Sequence, residues 1–186
     1  GIFVSDGGFG IDVENGDRVR VNGTVNEFYG MTEIESVADV LVCDTGQTVT
    51  PANVLLPVAS VDDFEAYEGM AVMMNQALTI SEFYNFDRYG EIVLSLGRQF
   101  QPTAIHDPNS AAAIQLAEAN RLSRIQLEDG RTIQNPDPAR HPNGMAFTLD
   151  NRFRGGDTVQ NVVGVMDYGG EYQIQPTAGA NYTPVN

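Results

Sequence analysis

Gly16-Asp17-Arg18-Val19, near the start of the chain, returns near its end as Gly156-Asp157-Thr158-Val159. At the same offset Val25 meets Val165, Glu27 meets Asp167, Phe28 meets Tyr168, Gly30 meets Gly170 and Ile34 meets Ile174. Such a match reads as two copies of one supersecondary unit. In each copy the Gly-Asp pair makes a turn. A strand follows, with Val19, Val21 and Val25 on one face and Arg18, Arg20, Asn22 and Thr24 on the other, at period two. An aromatic-Gly turn, Phe28-Tyr29-Gly30 or Tyr168-Gly169-Gly170, closes a hairpin whose return strand ends near Ile34 or Ile174. A shorter match stands ahead of each copy. Ile2-Phe3-Val4-Ser5-Asp6-Gly7 resembles Ile125-Gln126-Leu127-Glu128-Asp129-Gly130, both an apolar alternation ending in an Asp-Gly turn.

The second copy has more chain before it. After Glu68-Gly69 the pattern predicts a long strand from Met70 to Ile80, an aromatic-rich turn from Tyr84 to Tyr89, and a return from Glu91 to Leu96. A helix is expected near 108–123, capped by Asp107 with Pro108 at its first position. Ala112, Leu116, Ala119 and Leu122 would share its apolar face. The predicted fold class is therefore mainly β, with OB-fold-like Greek-key barrels and one short helix. The usual OB helix lies between the third and fourth strands; here it falls before the third. Residues 61–177 read as a complete module. Residues 1–60 read as an incomplete one, with only its last three strands, followed by a connecting segment in which Val40-Leu41-Val42-Cys43 is apolar. Its first two strands are expected upstream of Gly1, in a longer protein, since the chain opens on a strand pattern without an initiator Met. With its edges open, this module should pair its strands at 2–5 and 17–34 with the second module or with another chain. Asp62 to Tyr67 reads as a short helical turn, 131–151 as irregular, and 178–186 as a linker.

Charge limits the partners. The chain has 25 Asp and Glu against 10 bases, all of them Arg, for a net charge of −15. So acidic a surface repels a polyanion unless a local Arg cluster overrides the field. The same charge also serves solubility. No apolar run approaches the roughly 20 residues that span a bilayer, and no signal peptide is visible. Cys43 is the single cysteine. It reads either as a small buried residue or as a thiol that pairs outside this sequence.

No Ser/His/Asp, Cys/His or phosphate-loop pattern appears, so no catalytic residue is assigned. His106 and His141 lie far apart in Pro-flanked loops, which reads as structural. Asp6-Gly7-Gly8 and Asp129-Gly130 are acidic turns without the spaced acids of a calcium loop. No metal ligand or cofactor is assigned to this chain. The best local candidate is nucleic-acid contact, because OB-folds hold single strands by stacking bases on exposed aromatics beside Arg. Tyr84, Phe86, Arg88 and Tyr89 stand in one turn, with Arg98 and Phe100 following. Packing of those aromatics over a barrel end is the competing reading. Arg152 and Arg154 flank Phe153 as a second basic cluster.

Gly16-Asp17-Arg18-Val19-Arg20-Val21-Asn22-Gly23-Thr24-Val25 with Glu27-Phe28-Tyr29-Gly30 resembles the OB-fold-like region of secreted bacterial nucleases. So do Tyr67-Glu68-Gly69-Met70, Arg88-Tyr89-Gly90-Glu91, Gln101-Pro102-Thr103, and Gly156-Asp157-Thr158-Val159 with Tyr172-Gln173-Ile174-Gln175-Pro176-Thr177. The likeness covers nearly the whole chain with segment order kept. In that family these segments precede an endonuclease/exonuclease/phosphatase domain that works with divalent metal. The resemblance implies an extracellular, DNA-degrading parent. The chain itself is expected to be a non-catalytic accessory module that contacts DNA weakly and meets the parent's catalytic domain. A structural spacer or assembly module without nucleic-acid contact is the alternative.

Overall fold

In the computed structural model, which describes residues 1–8 and 11–185, both Gly-Asp turns form in the same way. Gly16 and Gly156 each take φ +97°, a left-handed backbone that a side chain resists. Asp17 Oδ2 accepts the Glu14 amide at 3.0 Å, and Asp157 Oδ2 accepts the Arg154 amide at 2.8 Å. A short carboxylate side chain thus satisfies a backbone donor that the turn frees.

Three strands near the N-terminus form one sheet: β1 (Phe3–Val4), β2 (Arg18–Phe28) and β3 (Met31–Asp44), in the order β1-β3-β2. The remaining elements are β4 (Ala52–Asn53), a 3-10 turn (Val61–Tyr67), β5 (Ala71–Met74), β6 (Leu78–Glu82), α1 (Phe86–Tyr89), β7 (Ile92–Ser95), a 3-10 turn (Pro102–Ala104), α2 (Ala111–Leu122), β8 (Arg124–Leu127), β9 (Thr158–Gln160), β10 (Val162–Tyr168), β11 (Tyr172–Pro176) and β12 (Asn181–Thr183). Their strands make a nine-stranded sheet ordered β12-β9-β6-β7-β8-β11-β10-β5-β4.

Two breaks in that order fall inside single chain segments. β5 and β6 are separated by residues 75–77, and β9 and β10 by Asn161, whose φ is +57°. As whole segments, 71–82 pairs with 92–95, 92–95 with 124–127, 124–127 with 172–176, and 172–176 with 158–168. The last segment returns to the first through both β10–β5 and β9–β6. The step from β8 to β11 is parallel. This ring of pairings is the five-segment Greek-key order of an OB-like fold. As the sequence pattern predicts, α2 lies before the third segment. Inside the ring sit Val72, Met74, Leu78, Ile80, Leu94, Met166 and Ile174, all without exposed surface. Each fully buried side chain of this kind stabilises by about 1.5–3 kcal/mol relative to exposure.

The first sheet repeats the parallel step residue for residue. Phe3 stands opposite Glu33 and Val4 opposite Ile34; Gln126 stands opposite Gln173 and Leu127 opposite Ile174. The Ser5 amide donates to Ile34 O at 2.8 Å, as the Glu128 amide donates to Ile174 O at 3.0 Å. Both Asp-Gly turns close alike, with Asp6 Oδ1 accepting from Gly8 and Asp129 Oδ1 from Arg131, each at 2.9 Å.

Across the neighbouring strand the sequence match is one residue out. Val25 lies opposite Ile34, whereas Met166 lies opposite Ile174. Val25 therefore occupies the place of Met166 rather than Val165, and the match of Glu27 with Asp167 shifts likewise. Two glycines confirm the slip. A Cβ on Gly23 would strike Ile34 Cγ2 and Glu35 O, and one on Gly164 would strike Ile174 Cγ2 and Gln175 O. Asn161 is the extra residue before the strand. After it, the first hairpin turns on Tyr29-Gly30 and the second on Gly169-Gly170-Glu171.

Several expectations are corrected. Among the described residues the two sheets share no strand pairing, so of the two partners expected for residues 2–5 and 17–34 the second module is not one. They meet it at one end instead, where the Thr32 amide donates to Glu68 Oε1 at 2.7 Å. The return strand continues to Asp44, and Cys43 on it is exposed, not buried. The long strand from Met70 breaks at 75–77. Residues ahead of 61 join the second module, because β4 pairs with β5 and Val54 and Leu56 enter its core. Ser110, not Asp107, caps α2 by accepting the Ala113 amide at 3.1 Å. The helix turns Ala113, Leu116 and Asn120 toward the protein and leaves Ala112 and Ala119 exposed. Residues 178–185 are a docked strand rather than a linker: β12 pairs with β9, and Ala180 is buried.

Candidate functional site

The OB-like order brings three things to one side: the turn between the first and second segments, the outward faces of β7 and β8, and the turn between β10 and β11. Alternation decides which side chains face out. Ile92, Leu94, Ile125 and Leu127 point into the core, so Val93, Arg124 and Gln126 point away from it. Val93 stands directly opposite Gln126. A shallow depression there is bounded by Glu82, Tyr84, Asn85 and Glu91 on one side and Gly169, Gly170 and Glu171 on the other. A second hollow continues it past Tyr84 and Arg124 to Phe100, Pro102 and the α2 residues Asn120 and Arg121.

Hydrogen bonds hold the rims. Asn85 Nδ2 donates to Glu91 Oε2 at 2.7 Å and so clamps the first turn. Asn120 Nδ2 donates to Phe100 O at 2.9 Å, and Gln99 Nε2 donates to Asn120 O at 2.7 Å, which ties the Phe100 segment to the end of α2. On the floor, Gln126 Nε2 donates to Gln173 Oε1 at 3.0 Å. Arg124 lies 3.9 Å from Glu171, a distance at which an exposed pair holds weakly. Arg121 is more committed, with two hydrogen bonds to Glu118 at 2.9 and 2.7 Å.

The predicted residues divide. Tyr84 is 86% exposed at the edge of the depression. Arg88 and Tyr89 are together, with the guanidinium 4.9 Å from the ring centroid, but they do not line it. The backbone of Arg88 is tied instead to the irregular loop, through the Asn135 amide at 2.8 Å. Arg98 is exposed just past β7. Phe86 corrects the expectation outright. It is buried among aromatics, 5.0 Å from Phe147 and 4.8 Å from Phe153, and cannot stack on a ligand. Packing wins there because α1 turns Phe86 inward while Tyr84 stays in the turn. Sequence reading missed Val93, Arg124, Gln126 and Glu171. The alternation along 92–95 and 124–127 carried the first three.

The other concentration of polar groups lies at the far end of the second module. His141 is buried, its Nδ1 accepts the Asn143 amide at 3.1 Å, and its ring meets Tyr182 edge-on at 4.5 Å. Burial lowers its pKa, which favours the neutral imidazole. Asp129 is buried too, next to the half-buried Glu128, whose pKa burial pushes up to about 7. The hollow they share contains Gly90, Arg140 and Gly179. Among the described residues no three His, Cys, Asp or Glu side chains converge as metal ligands, and no helix is long and apolar enough to cross a membrane.

A family model described as a domain of unknown function (DUF8508) matches residues 34–185. No curated protein and no solved structure matches the chain.

Proposed function

We propose that this chain, which belongs to the DUF8508 family, is a non-catalytic binding module whose outward β7–β8 face holds a single strand of nucleic acid. The exposure of Tyr84 at the rim of that face carries the reading. OB-like modules bind oligonucleotides on the second and third strands and the flanking loops, and exposed aromatics there stack bases whatever their sequence. Tyr84 and Phe100 supply two such platforms, Arg124 supplies positive charge, and Arg98 is exposed two residues before Phe100 in sequence. Resemblance of the ordered segments to secreted nucleases supports a DNA-degrading, extracellular parent. Hydrolysis would then belong to that parent's metal-dependent catalytic domain, and this module would position the strand. Binding is weak because the net charge of −15 opposes it, and it falls with salt because the arginine contacts to phosphate release counterions.

A second reading has its own observation. Glu82, Glu91 and Glu171 line the same depression, and carboxylates beside an aromatic suit a neutral oligosaccharide, which OB-like faces also bind.

Fluorescence anisotropy with labelled single-stranded DNA, double-stranded DNA and neutral oligosaccharides across a salt series separates these readings. The nucleic-acid reading expects single strands to bind at low salt. Tyr84→Ala should weaken binding about 10-fold or more, and Arg124→Ala should reduce the salt slope by about one. Salt-independent oligosaccharide binding that needs Tyr84 would favour the second reading. No binding of any kind would leave the module as a rigid spacer.

A further inference from the structure

We infer that residues 1–44 are three-fifths of a second OB-like module, and that their open face is a docking surface for a two-stranded antiparallel β segment patterned like residues 71–95. The internal copy says what belongs there. Six positions on the first sheet correspond to core positions of the complete module: Val4 to Leu127, Val25 to Met166 and Ile34 to Ile174 by register, Ile2 to Ile125 by alternation, and Val19 to Val159 and Val21 to Val162 by their offset along the chain. In the complete module all six are buried, and Val159, Met166 and Ile174 have no exposed surface. In the first sheet all six keep solvent exposure: Val25 is 64% exposed, Ile2 40% and Val19 39%, while Val4, Val21 and Ile34 are half-buried.

The six are covered in the complete module by the 71–95 segment. β5 pairs antiparallel with β10, β7 pairs antiparallel with β8, and Val72, Met74, Leu78, Ile80, Ile92 and Leu94 fill the interior. The matching edges of the first sheet, at Val21–Val25 of β2 and at β1, have no strand beside them among the described residues. An open edge beside an exposed apolar face is a template for strand addition. The occupant must therefore have two strands, with alternate apolar residues turned toward β2 and β3. Its first strand should run antiparallel to β2 and its second antiparallel to β1. A polypeptide segment outside residues 1–185 supplies it.

The test places a copy of residues 68–123 ahead of Gly1 in the full chain and reads amide exchange residue by residue. Exchange at Val21 to Val25 is expected to slow about 100-fold relative to the unfused chain. Val25→Asp should abolish that protection in the fusion, yet leave the unfused chain's stability unchanged. The same fusion carrying Val72→Asp and Leu94→Asp in the added copy should give no protection. Two outcomes overturn the proposal: exchange at these amides that the fusion does not alter, or an unfused chain that already protects them as a concentration-dependent dimer, which would seat a second copy on the edge.

Discussion

Replacing Asp157 by Ala sets the two copies of the Gly-Asp turn against each other within one protein. Asp157 is buried, and its carboxylate accepts hydrogen bonds from the Arg154 amide at 2.8 Å, the Tyr182 hydroxyl at 2.6 Å and the Val185 amide at 2.8 Å. The first closes the turn; the bonds from Tyr182 and Val185 fasten β12 and the end of the chain onto the module. Hydrogen bonds to a charged group contribute about 1.5–3 kcal/mol each. They share one acceptor, and β12 can release and rehydrate its donors, so their contributions do not add. The expected loss is about 3–5 kcal/mol. Asp17 accepts the Glu14 amide in an exposed turn, and Asp17→Ala should cost about 0.5–1 kcal/mol. Urea unfolding of both variants measures the difference. A second readout is independent of stability. Burial, then the Asp157 carboxylate, holds the Tyr182 phenol up to about 12, so removing the carboxylate should lower that pKa in a spectrophotometric titration. Equal costs for the two variants, with the Tyr182 titration unmoved, would refute the claim that Asp157 anchors the C-terminal strand.

Three further contrasts can be measured on the same molecule. Phe86→Ala should cost about 3–5 kcal/mol by emptying the Phe86–Phe147–Phe153 cluster, while Tyr84→Ala at the neighbouring exposed site should stay within about 0.5 kcal/mol; chemical denaturation checks both. Glu128 has a folded pKa raised to about 7 by burial, so its protonated form is the one the fold favours. Its contribution is fully present below the ordinary carboxylate pKa near 4.5 and is lost as pH rises through about 7. Because the side chain is only half-buried, the effect should be about 1 kcal/mol after solvent screening. Stability of Glu128→Gln measured from pH 4.5 to 8 should lack that decline. Gly164→Ala should cost about 1–3 kcal/mol, since its Cβ would meet the Gln175 carbonyl in a packed sheet. Gly23→Ala, with the same neighbours in an open sheet, should cost less; equal melting-temperature losses would contradict the difference in packing.

The sequence made the topology legible because turns and short-range alternation are local physics. Both Gly-Asp turns, both Asp-Gly turns and the order of segments through residue 176 come from residues a few positions apart. Tertiary packing overrode local signals elsewhere. Asp107-Pro108 is a good helix start, but Ser110 sits where α2 can lie with Ala113 inward. Tail residues 178–185 carry the composition of a linker, and Asp157, some 25 residues away in sequence, holds them down. The candidate face was only partly legible for the same reason. Tyr84 announced itself as an aromatic in a turn. Arg124 and Gln126 come from a strand after α2, and only the pairing of β7 with β8 puts them beside it.

The one-residue slip between the copies is itself informative about the first sheet. Side chains alternate across a strand, so a shift of one position moves a whole apolar set to the other face. Had β2 kept the offset set by Gly16 and Gly156, Val25 would share the outward face with Val165. Instead Asn161 adds one residue ahead of β10, and Val21, Gly23 and Val25 match Val162, Gly164 and Met166. The valines therefore stay on the face that is the core in the complete module, opposite the face of Arg18, Arg20, Asn22 and Thr24. A ribbon meant to stand in solvent on both sides has no need of that separation, because β-branched residues suit either face of a strand. A row of aliphatic residues kept on one face through a change of turn length is what a sheet with one covered face requires. The arrangement of β1 to β3 is thus better explained by a missing cover than by a free-standing hairpin.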